Sequence, residues 1–327
     1  MIVGLMKTFF ILVAGTFSGY FLQKILAKNQ AFTYEKRKKI SITLQKISMI
    51  GLISITYIGS LWIFNIENIM KAITMPFVGI FFTVTGGILA VFLSKYLNYT
   101  HKDTGSMFSC GYFSNRANLG ALICFFFLGE PGYALVPIFS LFMHFMYYGV
   151  GYPVAHMYND EFAQEKELKK RLLEVIKDPF FYMGITTVLI GLLLNLSPFK
   201  RPPVYGKVNE ILIPLSTFIS LFSIGLTLKL GQVFKYTKEI IYISIIKFFI
   251  VPALTLAIVV LLGYQSLNQG LPLKVALILS AMPVAFNSVV AANVYDLNVD
   301  LVNSCWIITT FSVLLVLPII LHVVELF

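Results

Sequence analysis

Long apolar runs recur along almost the whole chain, and they constrain its fold more than any other feature. About ten of them reach about 20 residues, the length that a helix needs to cross about 30 Å of hydrocarbon. With 58% hydrophobic and only 12% charged residues, the composition lies outside the soluble globular range. We therefore predict an all-α integral membrane protein. The runs lie near residues 2 to 26, 41 to 66, 72 to 97, 107 to 128, 132 to 157, 179 to 197, 209 to 229, 239 to 263, 272 to 295 and 300 to 325.

The basic residues are distributed unevenly over the loops between these runs. Alternate loops carry 16 Lys and Arg residues, whereas the intervening loops carry 5. Because cytoplasmic loops are enriched in Lys and Arg, the richer side is expected in the cytoplasm and both termini outside a plasma or inner membrane. The net charge of +10 is therefore a topology signal. We expect the basic loops to face a lipid bilayer, and we do not expect nucleic acid as a partner.

A polar stretch divides the runs five and five and predicts an inverted repeat. We predict a first repeat over 1–158, a cytoplasmic linker over 159–178 and a second repeat over 179–327. Similar residues recur in the two halves at offsets of 166 to 172 positions, which favours a repeat. The recurring pairs are Gly59 and Gly225, Gly19 and Gly191, and Asn118 and Asn287. The glycines are also the residues that allow membrane helices to pack closely.

Two runs, one in each half, are interrupted at their middles by polar, helix-breaking sequence. The interruptions are Ser114–Gly120 in the fourth run and Pro283–Ser288 in the ninth. Lipid offers no partners to free backbone groups, so a broken helix persists at membrane depth only where it faces protein or a polar cavity. Paired breaks in corresponding positions of two halves indicate a transport site near the membrane midplane. The pattern predicts a secondary transporter.

Two basic residues lie deep inside runs. Arg116 is about nine positions into the fourth run, or on the order of 14 Å from its start. It can serve as a clamp for an anionic substrate, or as a structural cation bonded to backbone carbonyls that the break frees. Lys247 is the second buried cation. All 15 acidic residues lie in loops or at the ends of runs, so we expect an anionic substrate and no coupling through a buried carboxylate.

Amide side chains flank both breaks and are suited to binding the same anionic substrate. An amide donates to a carboxylate while its oxygen accepts from a freed backbone N–H group, and the half-helix N-termini after each break favour an anion. Proline removes a donor and ends the helix before the second break. We expect substrate binding by Asn115, Arg116, Asn118, Asn287 and Ser288, with Gly120 and Pro283 shaping the breaks and with Lys247 and Asn293 as possible charge partners.

Signals for an enzyme or a metal site are weak in this sequence. The four histidines are scattered, and no glycine-rich phosphate loop is present. The three cysteines fall inside apolar runs without metal-ligand spacing. We expect neither catalysis, nor a cofactor, nor a metal.

Four groups of short segments are distinctive along the chain: Gly111–Gly120 with Gly129–Gly132, Asp178-Pro179-Phe180, Pro214-Leu215 with Ile224-Gly225-Leu226, and Ala281–Ser288. In these segments the chain resembles the auxin efflux carrier family, and the resemblance runs over nearly its whole length. The family commonly has Gly-x-Pro after the first break, where this chain reads Gly120-Ala121-Leu122, and Arg116 is an unusual addition.

The resemblance implies ten helices in a five-plus-five inverted repeat, similar to the sodium/proton antiporter and bile-acid symporter folds. It implies a scaffold of helices 1, 2, 6 and 7, through which relatives often dimerise. Helices 3–5 and 8–10 would form a mobile core in which helices 4 and 9 cross. Asn115, Asn118, Pro283 and Asn287 match the crossing by position. Relatives move organic anions, including auxin and dicarboxylates such as malate.

The sequence therefore predicts an elevator-type carrier that exports or exchanges a small organic anion. Two alternatives stay open. One is a sodium-coupled symporter of the bile-acid type that binds the ion through amides and carbonyls. The other is a membrane sensor that binds a ligand without net flux. Residue types indicate the charge of the substrate and not its identity or its direction of transport.

Overall fold

Helices make up almost all of the described structure. The computed structural model describes residues 2–28, 33–65, 69–159, 179–228 and 235–327. The helices of the first half are α1 (Ile2–Ala27), α2 (Tyr34–Lys46), α3 (Ile53–Trp62), α4 (Ile69–Tyr96), α5 (His101–Tyr112), α6 (Ala121–Phe139), α7 (Met143–Met146) and α8 (Tyr152–Met157). Those of the second half are α9 (Pro179–Leu196), α10 (Val204–Gly225), α11 (Thr237–Ile245), α12 (Val251–Leu261), α13 (Leu271–Ser280), α14 (Phe286–Val294) and α15 (Val299–Glu325).

Short π-helical turns join several of these helices into longer ones. In such a turn one extra residue is inserted, and the feature is often found at functional sites. The turns are Ile47–Leu52 between α2 and α3, Arg116–Gly120 before α6, Tyr147–Gly151 between α7 and α8, and Ile246–Ile250 between α11 and α12. Two of them therefore contain the predicted site residues Arg116 and Lys247.

Within the described residues, seven helical stretches are long and apolar enough to cross a membrane. The longest, Arg116–Met157, has 42 residues, and Tyr182–Leu196 is a shorter apolar helix. Inside the longest stretch the backbone turns at Gly129, whose φ of 67° favours glycine, so this stretch is not one straight helix. These stretches make the chain a multi-pass membrane protein. The number of ten spans and the inverted repeat stay predictions.

Two helices begin earlier than the hydropathy pattern predicts. The second span was expected from residue 41 and the fourth from 107, but α2 begins at Tyr34 and α5 at His101. Thr33 and Thr100 cap these helices, because their hydroxyls accept from the backbone N–H groups of Lys36 and Asp103. The first turns of both helices are polar, and a hydropathy pattern detects only the apolar part of a helix. It therefore does not include these turns.

The chain forms two compact units, each built from separated parts of the sequence. Unit 1 comprises Met1–Asn65, Ala121–Pro137 and Tyr182–Lys229. Unit 2 comprises Ile66–Gly120, Ile138–Phe181 and Leu230–Phe327. The repeats 1–158 and 179–327 and the scaffold and core roles stay predictions. Of the linker 159–178, all but Asn159 lies outside the described residues.

In unit 1, helices α1 and α10 pack with their backbones in contact. A Cβ on Gly19 would overlap the carbonyl of Phe222, and a Cβ on Gly225 would overlap that of Thr16. Two of the glycines that recur in sequence are therefore packing residues, as small residues in membrane bundles commonly are.

A charged cluster in unit 1 forms just after the turn at Gly129. The Glu130 carboxylate binds the Arg201 guanidinium through both oxygens, and the Asn209 amide donates to it at 2.5 Å. The Ser60 hydroxyl also donates to this carboxylate, at 3.2 Å. Both charged side chains are mostly buried, with exposed fractions of 11% for Arg201 and 19% for Glu130. The cluster thus fixes the turn to neighbouring helices of its unit.

We expect Glu130→Ala to lower the free energy of unfolding by about 3 kcal/mol, because it leaves Arg201 buried without its counter-charge. The matched control is Asp296→Ala, which removes the exposed ion pair with Lys102. Exposed ion pairs contribute less than about 1 kcal/mol to the free energy of unfolding. Thermal unfolding of the two purified variants in detergent measures both effects. Equal melting temperatures would show that the Glu130 cluster adds little to stability.

Candidate functional site

The first predicted interruption separates α5 from the π-helical turn Arg116–Gly120. Helix α5 ends at Tyr112, and Phe113 is extended, with φ −80° and ψ 127°. The chain re-enters a helix after Asn115, whose carbonyl accepts from the N–H of Gly120 at 3.1 Å. The Asn115 side-chain oxygen accepts from the N–H of Leu119 at 3.4 Å. Asn115 therefore acts as the cap of the second half-helix, a position that favours asparagine.

The second predicted interruption separates α13 from α14. Helix α13 ends at Ser280, and α14 begins at Phe286 after an extended Ala285, with φ −83° and ψ 156°. Pro283 lies between them and cannot continue a helix, because it has no N–H group and its ring clashes with the preceding turn. Both breaks occur in unit 2.

The two interrupted segments pair with each other. The N–H of Asn115 donates to the carbonyl of Pro283 at 3.0 Å, and the N–H of Ala285 donates to the carbonyl of Phe113 at 3.1 Å. Ser114 and Val284 thereby face each other in an antiparallel bridge. Each break supplies partners for backbone groups freed by the other, which is the condition for irregular backbone at membrane depth.

Arg116 lies directly after this pairing and is 1% exposed. Its Nη1 donates to the carbonyl of Gly79 at 3.0 Å, and its guanidinium stacks over the ring of Phe82, 4.8 Å from the centroid. Across the part of the chain that the structure describes, its Nε and Nη2 have no hydrogen-bond partner. These two atoms form one edge of the guanidinium, the fork that binds a carboxylate side-on. A buried cation therefore presents an unused bidentate edge.

Lys247 is the second buried cation, 2% exposed, in the π-helical turn after α11. Its Nζ donates to the carbonyl of Phe113 at 3.1 Å and to the Ser114 hydroxyl at 2.5 Å. Lys247, and not Arg116, thus binds the carbonyl that the first break frees. In the described residues, neither cation has a carboxylate within ion-pair distance.

The remaining predicted ligands differ in how they are placed. Asn118 and Asn287 are half-buried, and the Asn287 amide donates to the Tyr152 hydroxyl at 3.1 Å. Ser288 is fully buried, and its hydroxyl donates to the carbonyl of Ala285 at 2.5 Å. The Ser288 proton is therefore used within its own turn, although its oxygen still accepts.

Two further predicted residues have structural roles here. A Cβ on Gly120 would approach Leu279 and Met282 to 2.9 Å, so this glycine allows close packing beside the break. Asn293 is exposed, nearly two turns after the start of α14, and its amide donates to the carbonyl of Val289 at 2.8 Å. Asn293 therefore lies away from the pairing of the two breaks.

Several polar side chains near the breaks were not predicted. The Tyr147 hydroxyl donates to the carbonyl of Ser114 at 2.8 Å and accepts from its N–H at 2.9 Å. On α15, the Trp306 indole N–H and the Thr310 hydroxyl are buried without a partner among the residues that the structure describes. Trp306 also packs edge-on against Phe286, at 5.8 Å between ring centroids. The four-residue spacing of Trp306 and Thr310 in an apolar run is the signal that places both on one helix face.

Comparison with known proteins identifies the family to which this chain belongs. The profile of the family described as "Membrane transport protein" matches residues 5–321. An uncharacterized transporter of Methanocaldococcus jannaschii is 25% identical over 262 residues, which cover 76% of this chain and 79% of that protein. The family profile extends over the two breaks and their flanking helices. The chain belongs to this family of membrane transport proteins, that of the auxin efflux carriers.

Proposed function

We propose that this transporter moves a small organic anion that carries a carboxylate, and that the anion binds at the paired breaks of unit 2. The unused Nε and Nη2 edge of Arg116 carries the proposal. A buried guanidinium without hydrogen-bond partners on two of its nitrogens is costly, and a bound carboxylate would satisfy both at once. The substrate thus completes a site that the chain itself leaves incomplete.

The charge balance around the breaks supports an anion over a cation. Arg116 and Lys247 are both buried, and the described residues supply neither of them with a carboxylate. Desolvated charges of one sign raise the free energy of the ligand-free site, and an incoming anion lowers it. The start of α14 after the second break adds the partial positive charge of a helix N-terminus.

The half-buried amides suit the polar rim of such a site. Asn118 and Asn287 each retain partial exposure. Amides provide both donors and acceptors, so they orient a carboxylate without fixing one particular substrate. Asn115, fixed by the pairing, and the oxygen of Ser288 complete the proposed ligand set.

Alternating access by an elevator motion is the mechanism that we propose for the transport step. Both breaks, and both buried cations, belong to unit 2, which forms a compact body of its own. Alternating access commonly moves one bundle against the other as a rigid body, and a binding site that lies within the moving body keeps its contacts during that motion. In this scheme unit 2 is the moving core of a plasma-membrane carrier. Unit 1 is the scaffold, and a homodimer would form through its surface. Both termini of the chain lie outside the cell.

Uptake by liposomes that contain the purified protein tests the proposed function. We expect uptake of radiolabelled malate, lactate or indole-acetate, and none of a neutral amide of the same size. An anion preference that disappears on Arg116→Gln would support the site as well as the activity. Uptake of the neutral amide at the same rate as the acid would contradict the proposal.

The same experiment separates the rival functions. Uptake that occurs only with a sodium gradient would support a symporter of the bile-acid type. Saturable binding of a carboxylate to the purified protein without any flux would support a sensor. We expect neither result, because the proposed site binds its substrate through charges that the chain already contains.

A further inference from the structure

The position of Lys247 relative to the first break is unusual for a lysine. Its ammonium group touches two oxygens, the Phe113 carbonyl at 3.1 Å and the Ser114 hydroxyl at 2.5 Å. Lys247 has no carboxylate partner in the described parts of the chain. The dipoles of the Phe113 carbonyl and the Ser114 hydroxyl therefore stabilise the ammonium charge, as oxygen ligands stabilise a bound monovalent metal ion.

The Phe113 carbonyl follows directly on the C-terminus of α5, where the helix dipole concentrates negative charge. In transporters with broken helices, unwound carbonyls and the C-terminal ends of half-helices are the groups that coordinate Na⁺. The same carbonyl accepts from the N–H of Ala285 at 3.1 Å, one of the two hydrogen bonds that pair the breaks. A positive charge at this point therefore stabilises the pairing itself.

We propose that the Lys247 ammonium occupies the position of a coupling cation, so that the carrier keeps its paired breaks together without binding sodium. This inference rests on the proposed function for its transport consequences. Removal of the side chain would leave an oxygen-lined space beside Phe113 and Ser114. A small monovalent cation from solution would then be required to fill it.

The test compares the wild type with Lys247→Ala in liposomes that contain sodium, N-methylglucamine or methylammonium as the main cation. For the wild type we expect the same carboxylate flux with all three. In N-methylglucamine, Lys247→Ala should lose at least about tenfold in flux, because a charge-assisted hydrogen bond at the breaks is gone. Sodium or methylammonium should restore most of that loss. N-methylglucamine is too large to enter the vacated space.

Lys247→Met is the matched control, because it removes the charge and fills the space. We expect a low flux that no cation restores. If Lys247→Ala proves too unstable to purify, Lys247→Ser keeps the space and adds a hydroxyl ligand. Wild-type flux that depends on sodium would overturn the proposal. A folded Lys247→Ala or Lys247→Ser protein with normal flux in every cation would also overturn it. A loss of flux in these variants that no cation restores would do the same.

Binding of radioactive sodium to the detergent-purified proteins provides a readout that does not need transport. We expect saturable binding to Lys247→Ala and none to the wild type or to Lys247→Met. If the wild type moves no carboxylate, the proposed function fails, yet this binding difference still supports the cation position. If the flux is present and the binding difference is absent, only the inference about Lys247 fails.

Discussion

Replacement of Arg116 by Met should nearly abolish carboxylate transport and leave a folded protein that is at least as stable as the wild type. Two charge-assisted hydrogen bonds from one guanidinium edge contribute about 3 kcal/mol or more to the binding of a carboxylate. Their loss lowers flux about 100-fold at substrate concentrations below saturation. The flux is measured as the initial rate of radiolabelled carboxylate uptake by liposomes.

The stability of the same variant distinguishes a binding role from a structural one. A buried ion without its counter-charge destabilises a folded protein, and apolar replacements of buried ions are commonly neutral or stabilising by about 1 to 4 kcal/mol. We therefore expect the ligand-free Arg116→Met protein to unfold at the wild-type temperature or above it. The carbonyl of Gly79 keeps a partner without Arg116, because the Thr83 hydroxyl also donates to it, at 2.8 Å.

Arg116→Lys is the matched control for this prediction. Lysine keeps the charge but lacks the planar fork, so it binds a carboxylate as a point charge. We expect an intermediate flux from this variant. A marked fall in the unfolding temperature of Arg116→Met would instead assign Arg116 a structural role.

Gly111→Ala should destabilise unit 2 by about 3 kcal/mol, because the substitution forces apart two helices that touch through their backbones. A Cβ on Gly111 would overlap the carbonyl of Gly86 on α4 and approach the Cβ of Ala90 to 2.7 Å. A Cβ on Gly86 would in turn overlap the carbonyl of Gly111. Helix propensity alone favours Ala over Gly by about 1 kcal/mol, so any net loss comes from the overlap.

The effect on transport follows from the position of Gly111 in the chain. Phe113, which binds both Lys247 and Ala285, is two residues further on. A displaced α5 therefore also displaces the break, and we expect flux to fall together with the unfolding temperature. Gly206→Ala is the control, because a Cβ at Gly206 meets no atom within 4 Å. If the two Ala variants unfold at the same temperature, the close approach of α4 and α5 does not limit stability.

Much of the helical pattern could be predicted from the sequence, because lipid restricts the backbone to few solutions. Long apolar runs predict helices, and the polar segments at Ser114–Gly120 and Pro283–Ser288 predict the breaks that the structure contains. The apolar runs predicted from near residues 41 and 107 do not include the first turns of α2 and α5. A capping threonine followed by a polar first turn is not visible in an average of hydropathy.

The roles of individual side chains at the breaks were less predictable. The sequence indicates that Arg116 and Lys247 are both buried, but not which of them binds the freed carbonyl. That contact joins residues 133 or more positions apart and depends on how α11 packs beside α5. The role of Asn293 as a charge partner stays a prediction, and an asparagine within a helix often donates to the carbonyl four residues before it. It does so here, with Val289.

Carboxylate uptake driven by an imposed membrane potential tests the central claim most directly. Liposomes with the wild type, Arg116→Met or Gly206→Ala would be given an inside-positive potential, with no gradient of sodium or protons. The proposed carrier predicts that the wild type and Gly206→Ala accumulate the carboxylate, and that Arg116→Met does not. Equal accumulation by Arg116→Met and the wild type would contradict the proposal that the buried edge of Arg116 binds the transported anion.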